Sequence, residues 1–249
     1  MRPVLGLIPA AGRALRLGPL PCSKELLPVG FRTTPSGPVP KVACHHLLER
    51  FAAAGIGRAL MVLHESKWDV ARYLGNGAGF GVHLAYVVIP GSASVPETLS
   101  VAAPWVGEQT VALGFPDVLF EPRDAYARLL QRQAERDADL VLGLFPADRP
   151  WTTDMVELGD DGRVRRIEVR PRETGLRFNW LLAVWSPVFT RFLQEAVEKG
   201  SPPEGELQIG AVVQAAVEAG LTVEGVPFPE GSYRDLGTPD QLAAVWREV

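Results

Sequence analysis

Short apolar segments alternate with segments of helical spacing through roughly residues 1–145, and this order most constrains the fold. The predicted strands are Val4–Ile8, Arg58–Leu63, Val82–Ile89, Thr110–Leu113 and Leu140–Phe145. The predicted helices between them are Lys41–Ala54, Trp68–Leu74, Val95–Ala103 and Arg123–Arg136. Such an alternation predicts a mostly parallel sheet with helices on both faces. We therefore expect an α/β protein with three layers, α/β/α, around a mixed, mainly parallel, Rossmann-like sheet.

A different pattern follows in the rest of the chain. Met155–Leu158 and Arg163–Val169 flank the segment Gly159-Asp160-Asp161-Gly162, which is typical of a hairpin turn. The remaining predicted elements are strands Asn179–Trp185 and Leu221–Val226 and helices Val188–Glu198, Leu207–Ala219 and Pro239–Glu248, with Thr238 as a candidate N-cap. Nothing between the two patterns has the composition of a linker. We expect one domain over 1–249, with a first part of about 1–145 and a second of about 146–249.

The charge balance argues against nucleic acids and membranes as partners. The 249 residues carry 25 Lys and Arg against 29 Asp and Glu, a formal net charge of −4. A net-acidic chain is poorly suited to nonspecific binding of polyanions or anionic membrane surfaces. No apolar run approaches the roughly 20 residues of a membrane span, and the apolar start Val4–Ala11 soon meets Arg13 and Arg16. We expect a cytoplasmic protein that binds neither nucleic acid nor membranes.

Cysteine and histidine are too few to predict a zinc site or a disulfide framework. Cys22 and Cys44 are the only cysteines and form no CxxC pair. His45 and His46 are adjacent, and adjacent helical residues point about 100° apart. They are therefore not expected to share a metal ion.

A long stretch rich in Gly and Pro, from Pro9 to about Pro40, predicts a functional loop directly after the first strand. Its small residues let a ligand approach the backbone, whose N–H groups can hold phosphate. Arg16 and Lys24 add positive charge to the same loop. The spacing fits neither GxGxxG nor a Walker loop. From the residues alone, a phosphate-binding loop and a surface loop with two solvated cations both stay open.

This loop and several later segments form an ordered series of motifs. Gly12, Arg16, Leu17 and Pro19 match G-G-x-G-T-R-L-x-P, and Lys24, Leu26, Leu27, Pro28 and Val29 match P-K-x-L-L-P-V. The later matches are Ala54-Gly55-Ile56, Tyr73-Leu74-Gly75, Phe80-Gly81-Val82, Tyr86, Asp117 after a central strand, and Asp235-Leu236-Gly237-Thr238-Pro239 as a D-x-G-T-P segment. With its motifs in this order, the chain resembles the sugar-1-phosphate nucleotidylyltransferases, most of all the glucose-1-phosphate thymidylyltransferase and uridylyltransferase group.

The resemblance implies a GT-A-like fold and a Mg²⁺-dependent reaction of a nucleoside triphosphate, dTTP or UTP, with a sugar-1-phosphate such as glucose-1-phosphate. The products would be an NDP-sugar and pyrophosphate. Arg16, Lys24 and Asp117 would be catalytic, and Asp117 and Asp235 would bind Mg²⁺. The implied nucleotide-binding residues are Ala10, Ala11, Gly12, Arg13, Arg16, Lys24, Ile89 and Ser94. Arg170, Asn179 and Trp180 would bind the sugar phosphate, and a homo-oligomeric state stays open.

The residues suit this chemistry because it needs no general base. The second pKa of a phosphate is about 6, so the attacking sugar-1-phosphate oxygen is already anionic near neutral pH. The reaction needs charge neutralisation and in-line alignment. Two carboxylates holding Mg²⁺, with Arg and Lys on the phosphates, provide both. Asp117 follows the strand that ends near Leu113, at the sheet edge where ligands bind in open α/β folds.

Several positions depart from the family pattern. Small or polar residues of the motifs are replaced at four positions: Ala11, Ala14, Leu15 and Pro116. Ile89 stands where the family has a base-reading Gln, and Ser94 stands where it has a Gly. Val169 replaces a sugar-reading Glu, and Arg170 replaces a Lys. Glu168 lies one place too early and would point to the opposite face of the strand. Base and sugar recognition are thus less well retained than the phosphate and metal machinery.

Three interpretations therefore remain: an active enzyme of altered specificity, an inactive nucleotide- or sugar-phosphate-binding relative with a regulatory role, or a transferase acting on a non-sugar phosphate. Retention of Arg16, Lys24, Asp117 and Asp235 together favours the active enzyme. Because the chain ends soon after the D-x-G-T-P segment, we expect no allosteric nucleotide site built from additional C-terminal helices.

Overall fold

The strands form one large sheet and two small ones in the structure, a computed structural model that describes residues 3–200 and 205–248. In chain order they are β1 (Val4–Ala10), β2 (Pro28–Thr34), β3 (Gly37–Val42), β4 (Arg58–His64), β5 (His83–Ile89), β6 (Thr110–Leu113), β7 (Val118–Glu121), β8 (Leu140–Pro146), β9 (Asp154–Leu158), β10 (Val164–Val169), β11 (Phe178–Trp185), β12 (Val223–Pro227) and β13 (Ser232–Asp235). Most of the predicted strands are found within one or two residues of their expected bounds.

The helices alternate with the strands as the sequence predicts. They are α1 (Ala43–Ala53), α2 (Trp68–Leu74), α3 (Val95–Val101), α4 (Ala103–Val106), α5 (Ala125–Arg136), α6 (Pro187–Glu198), α7 (Ile209–Glu218) and α8 (Pro239–Glu248). At the start of α8, Thr238 Oγ1 accepts the N–H of Gln241 at 3.4 Å, in agreement with the N-cap prediction. None of the described helices combines the length and the apolarity that crossing a membrane would require.

The large sheet has the order β10-β9-β11-β6-β1-β4-β5, with β8 beside β11 and β12 beside β8. Strands β5, β4, β1 and β6 run parallel, whereas β11 runs antiparallel to β6, β8 and β9. Because β11 pairs with β6, strands from both predicted parts of the chain join in one sheet. The predicted mixed, mainly parallel sheet is confirmed.

Successive residues of β1 pack into different layers. Leu7 belongs to an apolar cluster with Leu99 of α3 and Phe189 of α6. Ile8 belongs to another, with Phe51 of α1 and Tyr126 of α5. Burial on both faces explains why the central strands read as continuous apolar runs rather than as an alternating pattern. The α/β/α layering is confirmed as well.

The long loop predicted from Pro9 to about Pro40 is only partly a loop, because its second half forms a β-ribbon of β2 and β3. The two strands pair antiparallel around a tight turn in which Thr34 lies opposite Gly37. Proline is tolerated there because a two-stranded ribbon leaves many N–H groups outside the ladder. The ribbon is largely exposed, with Phe31 66% accessible, so it lacks the alternation that would predict strands.

The predicted hairpin in the second part is confirmed. Gly159 donates its N–H to the carbonyl of Arg163 at 2.8 Å, and β9 pairs antiparallel with β10. Antiparallel pairing of β11 with β9 then places the start of β9 and the end of β10 beside the central strands. The second part of the chain thereby supplies one wall at the carboxyl edge of the sheet.

Candidate active site

A cavity of about 580 Å³ opens at the carboxyl ends of the parallel strands β1 and β6. This edge collects the loops that follow several strands, so residues distant in sequence meet there. Ten of the residues implied by the resemblance line it: Ala10, Ala11, Gly12, Arg16, Lys24, Ser94, Asp117, Arg170, Trp180 and Asp235. The remaining three, Arg13, Ile89 and Asn179, are not among its lining residues in the described part of the chain.

Lys24 and Asp117 form a short charge-assisted hydrogen bond in the cavity wall. Lys24 Nζ donates to Asp117 Oδ2 at 2.5 Å, and the side chains are 17% and 12% exposed. Burial opposes ionisation of Asp117, but the charge and hydrogen bond of Lys24 outweigh it and lower the pKa of the carboxyl. Burial likewise opposes protonation of Lys24, yet the charges of Asp117 and Glu25 raise its pKa. Both groups are therefore charged at neutral pH.

Asp235 reaches the site through a two-stranded sheet that the sequence does not predict. Strands β7 and β13 pair antiparallel with Asp235 opposite Val118, and Leu236 donates its N–H to the carbonyl of Asp117 at 2.9 Å. Burial and the negative charge of Asp117 raise the pKa of Asp235, although Gly237 donates its N–H to Asp235 Oδ1 at 2.7 Å. Strand pairing thus brings both carboxylates to one cavity, where the charge of Asp117 acts on Asp235.

Arg16 lies near the beginning of the sequence, yet its guanidinium lies close to Gly237, just after Asp235. It belongs to the 3₁₀ turn Leu15–Leu17, which follows Ala14 in a left-handed conformation with φ 53°. A Cβ on Gly237 would lie 2.9 Å from Arg16 Nη2 and 2.9 Å from Asp235 Oδ1. Glycine at this position therefore leaves room for a guanidinium and a carboxylate against one backbone segment.

A buried ion pair supports the turn that carries Lys24, and sequence analysis misses it. Lys67 Nζ donates to Glu25 Oε1 at 2.7 Å, with the two side chains 7% and 0% exposed. Ser23 donates its main-chain N–H and its hydroxyl to Asp69, each at 2.7 Å. These contacts tie the turn to the start of α2. The pairing partners lie far apart in the sequence, and no local pattern connects them.

On the nucleotide side, small side chains leave the backbone after β1 accessible. A Cβ on Gly12 would have no neighbouring atom of the described chain within 4 Å, so a ligand has room to approach. Across the cavity, Ser94 caps α3, because its Oγ accepts the N–H of Glu97 at 3.3 Å. Ser92 and Thr98 share a hydroxyl–hydroxyl hydrogen bond of 2.5 Å and also line the cavity.

Arg13 and Ile89 lie outside this nucleotide-side wall. Arg13 is exposed to solvent, whereas the side chain of Ile89 is buried in the apolar core that β5 shares with α3. Ile89 lies on the same buried face of β5 as Val87, and both side chains belong to this apolar core. Neither side chain lines the cavity, although the family resemblance implies that both bind the nucleotide.

The sugar-side wall comes from β9, β10 and β11. Arg170 follows β10 with a φ of 44°, which is uncommon outside glycine, and Trp180 is buried in β11. Asn179 is fully buried behind this wall, where its Nδ2 donates to Thr153 Oγ1 at 3.0 Å and to Tyr233 Oη at 3.1 Å. It connects β11 with β13 and with the turn that precedes β9, and it supports the wall rather than lining it.

Further lining residues in the second part of the chain were not predicted. They include Trp151, which is 57% exposed, Asp154 at the start of β9, and Glu206 and Ile209. The first three belong to a short turn, a strand end and a loop, and Ile209 is the first residue of α7, so no periodic pattern marks them as lining residues. Glu168 is held elsewhere, since its carboxylate accepts from Thr174 Oγ1 at 2.6 Å and pairs with Arg166 at 2.7 Å.

Comparison with known proteins shows the family to which this chain is similar. The nucleotidyl transferase family matches residues 5–249. A glucose-1-phosphate thymidylyltransferase of Streptomyces antibioticus is 27% identical over 247 residues, which is 98% of this chain and 65% of that protein. The low-salt glycan biosynthesis nucleotidyltransferase of Haloferax volcanii is 24% identical, over 95% of this chain and 63% of its own length. The chain thus spans somewhat less than two thirds of the length of these two relatives.

The fold also matches a solved structure. A Bacillus anthracis protein named as a glucose-1-phosphate thymidylyltransferase, solved with sucrose, superimposes with a TM-score of 0.81. The match covers 97% of this chain and 93% of that one at 20% sequence identity. At this identity the likeness establishes the fold alone, an α/β nucleotidyltransferase fold.

Proposed function

The chain belongs to the nucleotidyl transferase family, and from this premise we propose that it transfers a nucleotidyl group from a nucleoside triphosphate to a sugar-1-phosphate. The products are an NDP-sugar and pyrophosphate. One observation carries the proposal: Arg16, Lys24, Asp117 and Asp235 line a single cavity at the carboxyl edge of the sheet. These are two cations that suit phosphate oxygens and two carboxylates that suit a divalent metal ion.

The chain's own residues need only bind, align and neutralise the reactants. A sugar-1-phosphate oxygen attacks the α-phosphorus of the triphosphate while pyrophosphate leaves on the opposite side. The nucleophile is anionic near neutral pH because the second pKa of phosphate is about 6. Lys24, kept protonated by Asp117, and Arg16 present positive charge to phosphate oxygens. That charge stabilises the transition state more than the ground state as the leaving group develops negative charge.

Asp117 and Asp235 are the residues that would hold Mg²⁺. Burial and the negative charge of Asp117 raise the pKa of Asp235, and a cation between the two carboxylates would relieve their repulsion. In the described residues there is no group of three or more His, Cys, Asp and Glu that could hold a metal ion. Two carboxylates still suit Mg²⁺, which keeps several waters and shares its coordination with substrate phosphates. When bound, the ion would neutralise phosphate charge and polarise the reacting phosphoryl group.

The substrates proposed first are dTTP or UTP and glucose-1-phosphate. The names of the relatives support this choice, since several are glucose-1-phosphate thymidylyltransferases. The base cannot be read by Ile89, which has no polar side-chain atom and lies in the core. Hydroxyl or backbone groups around Ser92, Ser94 and Thr98 are better placed, because these residues line the cavity.

The test is Mg²⁺-dependent release of pyrophosphate from a panel of triphosphates and sugar-1-phosphates, with Lys24→Met as the disabled control. We expect release with at least one pyrimidine triphosphate and loss of it in the control or with chelated Mg²⁺. Equilibrium binding of the same nucleotides is measured in parallel. Binding without release from any pair would instead support an inactive binding relative, and release with a non-sugar phosphate alone would identify a different acceptor.

A further inference from the structure

Two polar atoms in the sugar-side wall are buried without a hydrogen-bond partner in the part of the chain that the structure describes. Asn179 Oδ1, behind this wall, is unpaired as well, and the two atoms in the wall itself are Asp154 Oδ1 and Trp180 Nε1. Both residues line the cavity. Buried polar atoms in proteins are nearly always paired, because leaving them unpaired costs free energy. Two such atoms in one wall of a cavity therefore need a partner from outside the chain, which is either water or a ligand.

The strand register makes these residues neighbours. Strands β11 and β9 pair antiparallel with Phe178 opposite Val156 and Asn179 opposite Met155. Continuing this register by one residue sets Trp180 opposite Asp154. Directly opposite residues of an antiparallel pair project their side chains on the same face, with Cβ atoms roughly 4.5–5.5 Å apart. The unpaired donor and the unpaired acceptor thus lie side by side.

Asp154 also lies where the sequence lacks a carboxylate. In the β9–β10 ladder it pairs with Val169, the position at which the family resemblance implies a sugar-reading glutamate. A carboxylate on the neighbouring strand can serve the same region of the cavity. Arg170, next along the chain, lines the cavity beside it.

The second oxygen of Asp154 has a structural role, which leaves Oδ1 for a ligand. The carboxylate lies against Gly210 in the first turn of α7, where a Cβ would collide with Asp154 Oδ2. Burial raises the pKa of Asp154, although the charge of Arg170 and the N–H groups of Gly210 and Arg170 act against that rise. The helix start thus holds the carboxylate in place with one oxygen committed.

The two free atoms have complementary chemistry. An indole N–H only donates, and an ionised carboxylate only accepts. A hydroxyl group can satisfy both, since it accepts from the indole and donates to the carboxylate. A carbonyl oxygen could only accept, and an ammonium group could only donate. We propose that Asp154 and Trp180 together read one hydroxyl group of the sugar-1-phosphate, an inference that rests on the proposed function.

The experiment compares glucose-1-phosphate with its monodeoxy analogues in the whole chain, by calorimetric binding and by kcat/KM. Trp180→Phe removes the N–H and keeps an aromatic ring, and Asp154→Asn keeps the shape while removing the charge. Because a site that hydrogen-bonds a hydroxyl rejects analogues lacking it strongly, we expect the wild type to reject one deoxy analogue by about 100-fold or more. Each variant should reduce that discrimination to within about threefold, mainly by weakening the parent sugar.

Trp185→Phe is the matched control. Trp185 lies on the same strand, but its Nε1 donates to Thr190 Oγ1 at 2.9 Å inside the core. This variant can lower thermal stability but should keep the discrimination between the sugar and its deoxy analogue. A variant that unfolds is recognised by its melting temperature, and the proposal is then tested with the other of Trp180→Phe and Asp154→Asn.

The binding and turnover measurements separate the two proposals. If the wild type discriminates between the sugars in binding and both variants abolish this discrimination, the hydroxyl site is supported. This holds even if no pyrophosphate is released, a result that would overturn the proposed reaction alone. Turnover with no discrimination by the wild type, or with discrimination unchanged in Trp180→Phe and Asp154→Asn, would overturn the hydroxyl site alone. Absence of binding to every sugar phosphate in the panel would also overturn it.

Discussion

Leu236 donates its main-chain N–H to the carbonyl of Asp117 at 2.9 Å. This bond continues the pairing of β13 with β7 and joins the backbones that carry Asp117 and Asp235. Strand pairing therefore fixes the spacing of the two backbone segments that carry these carboxylates. A pair of like charges held together in this way is costly unless cations lie close, and Lys24 and Arg16 both interact favourably with Asp235.

Neutralising either aspartate should disable the proposed reaction. Asp117→Asn and Asp235→Asn each remove one anionic oxygen ligand for Mg²⁺, and we expect kcat to fall by about 10²–10⁴-fold. Steady-state pyrophosphate release at saturating Mg²⁺ measures the effect, with circular dichroism to show that the fold is kept. Asp161→Asn, on the exposed hairpin turn, is the control and should retain activity. Full activity in either active-site variant would remove that aspartate from the mechanism.

The proposed reaction should require an ammonium group at position 24 rather than positive charge alone. Lys24→Arg replaces a compact charge bonded to Asp117 by a planar fork, and we expect kcat/KM to fall by about 10²-fold. Lys41→Arg is a matched control, because Lys41 pairs with Glu49 at 2.6 Å away from the cavity. Wild-type kinetics for Lys24→Arg would show that this position needs only charge.

Gly237 should be intolerant of a side chain although its neighbourhood is polar. The Cβ of Gly237→Ala would lie 2.9 Å from both Arg16 Nη2 and Asp235 Oδ1, so both groups must move. A displacement of about 1 Å at reacting groups can cost about 10²-fold in rate, and we expect a loss of that order in kcat. Gly175→Ala, where a Cβ meets nothing within 4 Å, should leave kcat unchanged. Equal activities would place Arg16 and Asp235 outside the rate-limiting step.

Arg16 itself should act mainly in the transition state. Arg16→Ala should lower kcat more than it raises KM for the triphosphate, because its charge meets negative charge that builds on the leaving pyrophosphate. Initial-rate kinetics over a range of triphosphate concentrations separate the two parameters. A rise in KM with unchanged kcat would assign Arg16 to ground-state binding instead.

The buried pair of Glu25 and Lys67 should make stability depend on pH in a defined direction. Lys67→Met leaves Glu25 without its closest cation, and we expect a loss of about 3–5 kcal/mol in the free energy of unfolding near neutral pH. Burial already raises the pKa of Glu25, and removing Lys67 raises it further. A carboxyl with a raised folded-state pKa is most favourable where it is protonated, so the deficit should shrink as pH falls from about 8 to about 5.

Urea denaturation at several pH values measures this dependence. Lys41→Met is the control, because its partner Glu49 is substantially exposed and such pairs contribute about 0–1 kcal/mol. A deficit in Lys67→Met that is constant or grows toward low pH would contradict the assignment of the effect to Glu25.

Base selection should be weak if apolar contacts dominate it. A wall that offers no hydrogen bond to the base discriminates by only about 10–200-fold, whereas a hydrogen-bonding site reaches about 10⁴-fold. Values of kcat/KM for dTTP, UTP, CTP, GTP and ATP with glucose-1-phosphate decide between the two. We expect weak separation of dTTP from UTP, whose bases carry the same hydrogen-bonding groups. A preference above about 10⁴-fold for one base among the five would mean that a polar group, such as those around Ser92, Ser94 and Thr98, reads it.

The sequence by itself determined the layered fold and singled out Lys24 and Asp117 as candidate site residues. Strands such as β1 and β4 are buried on both faces, so their composition alone marks them, and amphipathic α5 carries its period within its own residues. Lys24 and Asp117 could be singled out because each follows a predicted strand in a motif of known order. These signals are local: every residue that forms the pattern lies within one segment.

Only the tertiary structure decided which distant residues meet. The ribbon of β2 and β3 and the pair β7–β13 are short or exposed, so they depend on a partner strand rather than on a pattern of their own. Glu25 has a bonded cation in the interior because Lys67 reaches it, and Trp180 lies beside Asp154 because two strands pair in one register. Whether a buried charge or polar atom is paired depends on neighbours that the topology brings together from distant parts of the chain. A pattern of neighbouring residues in the sequence does not contain the spatial distances between such parts.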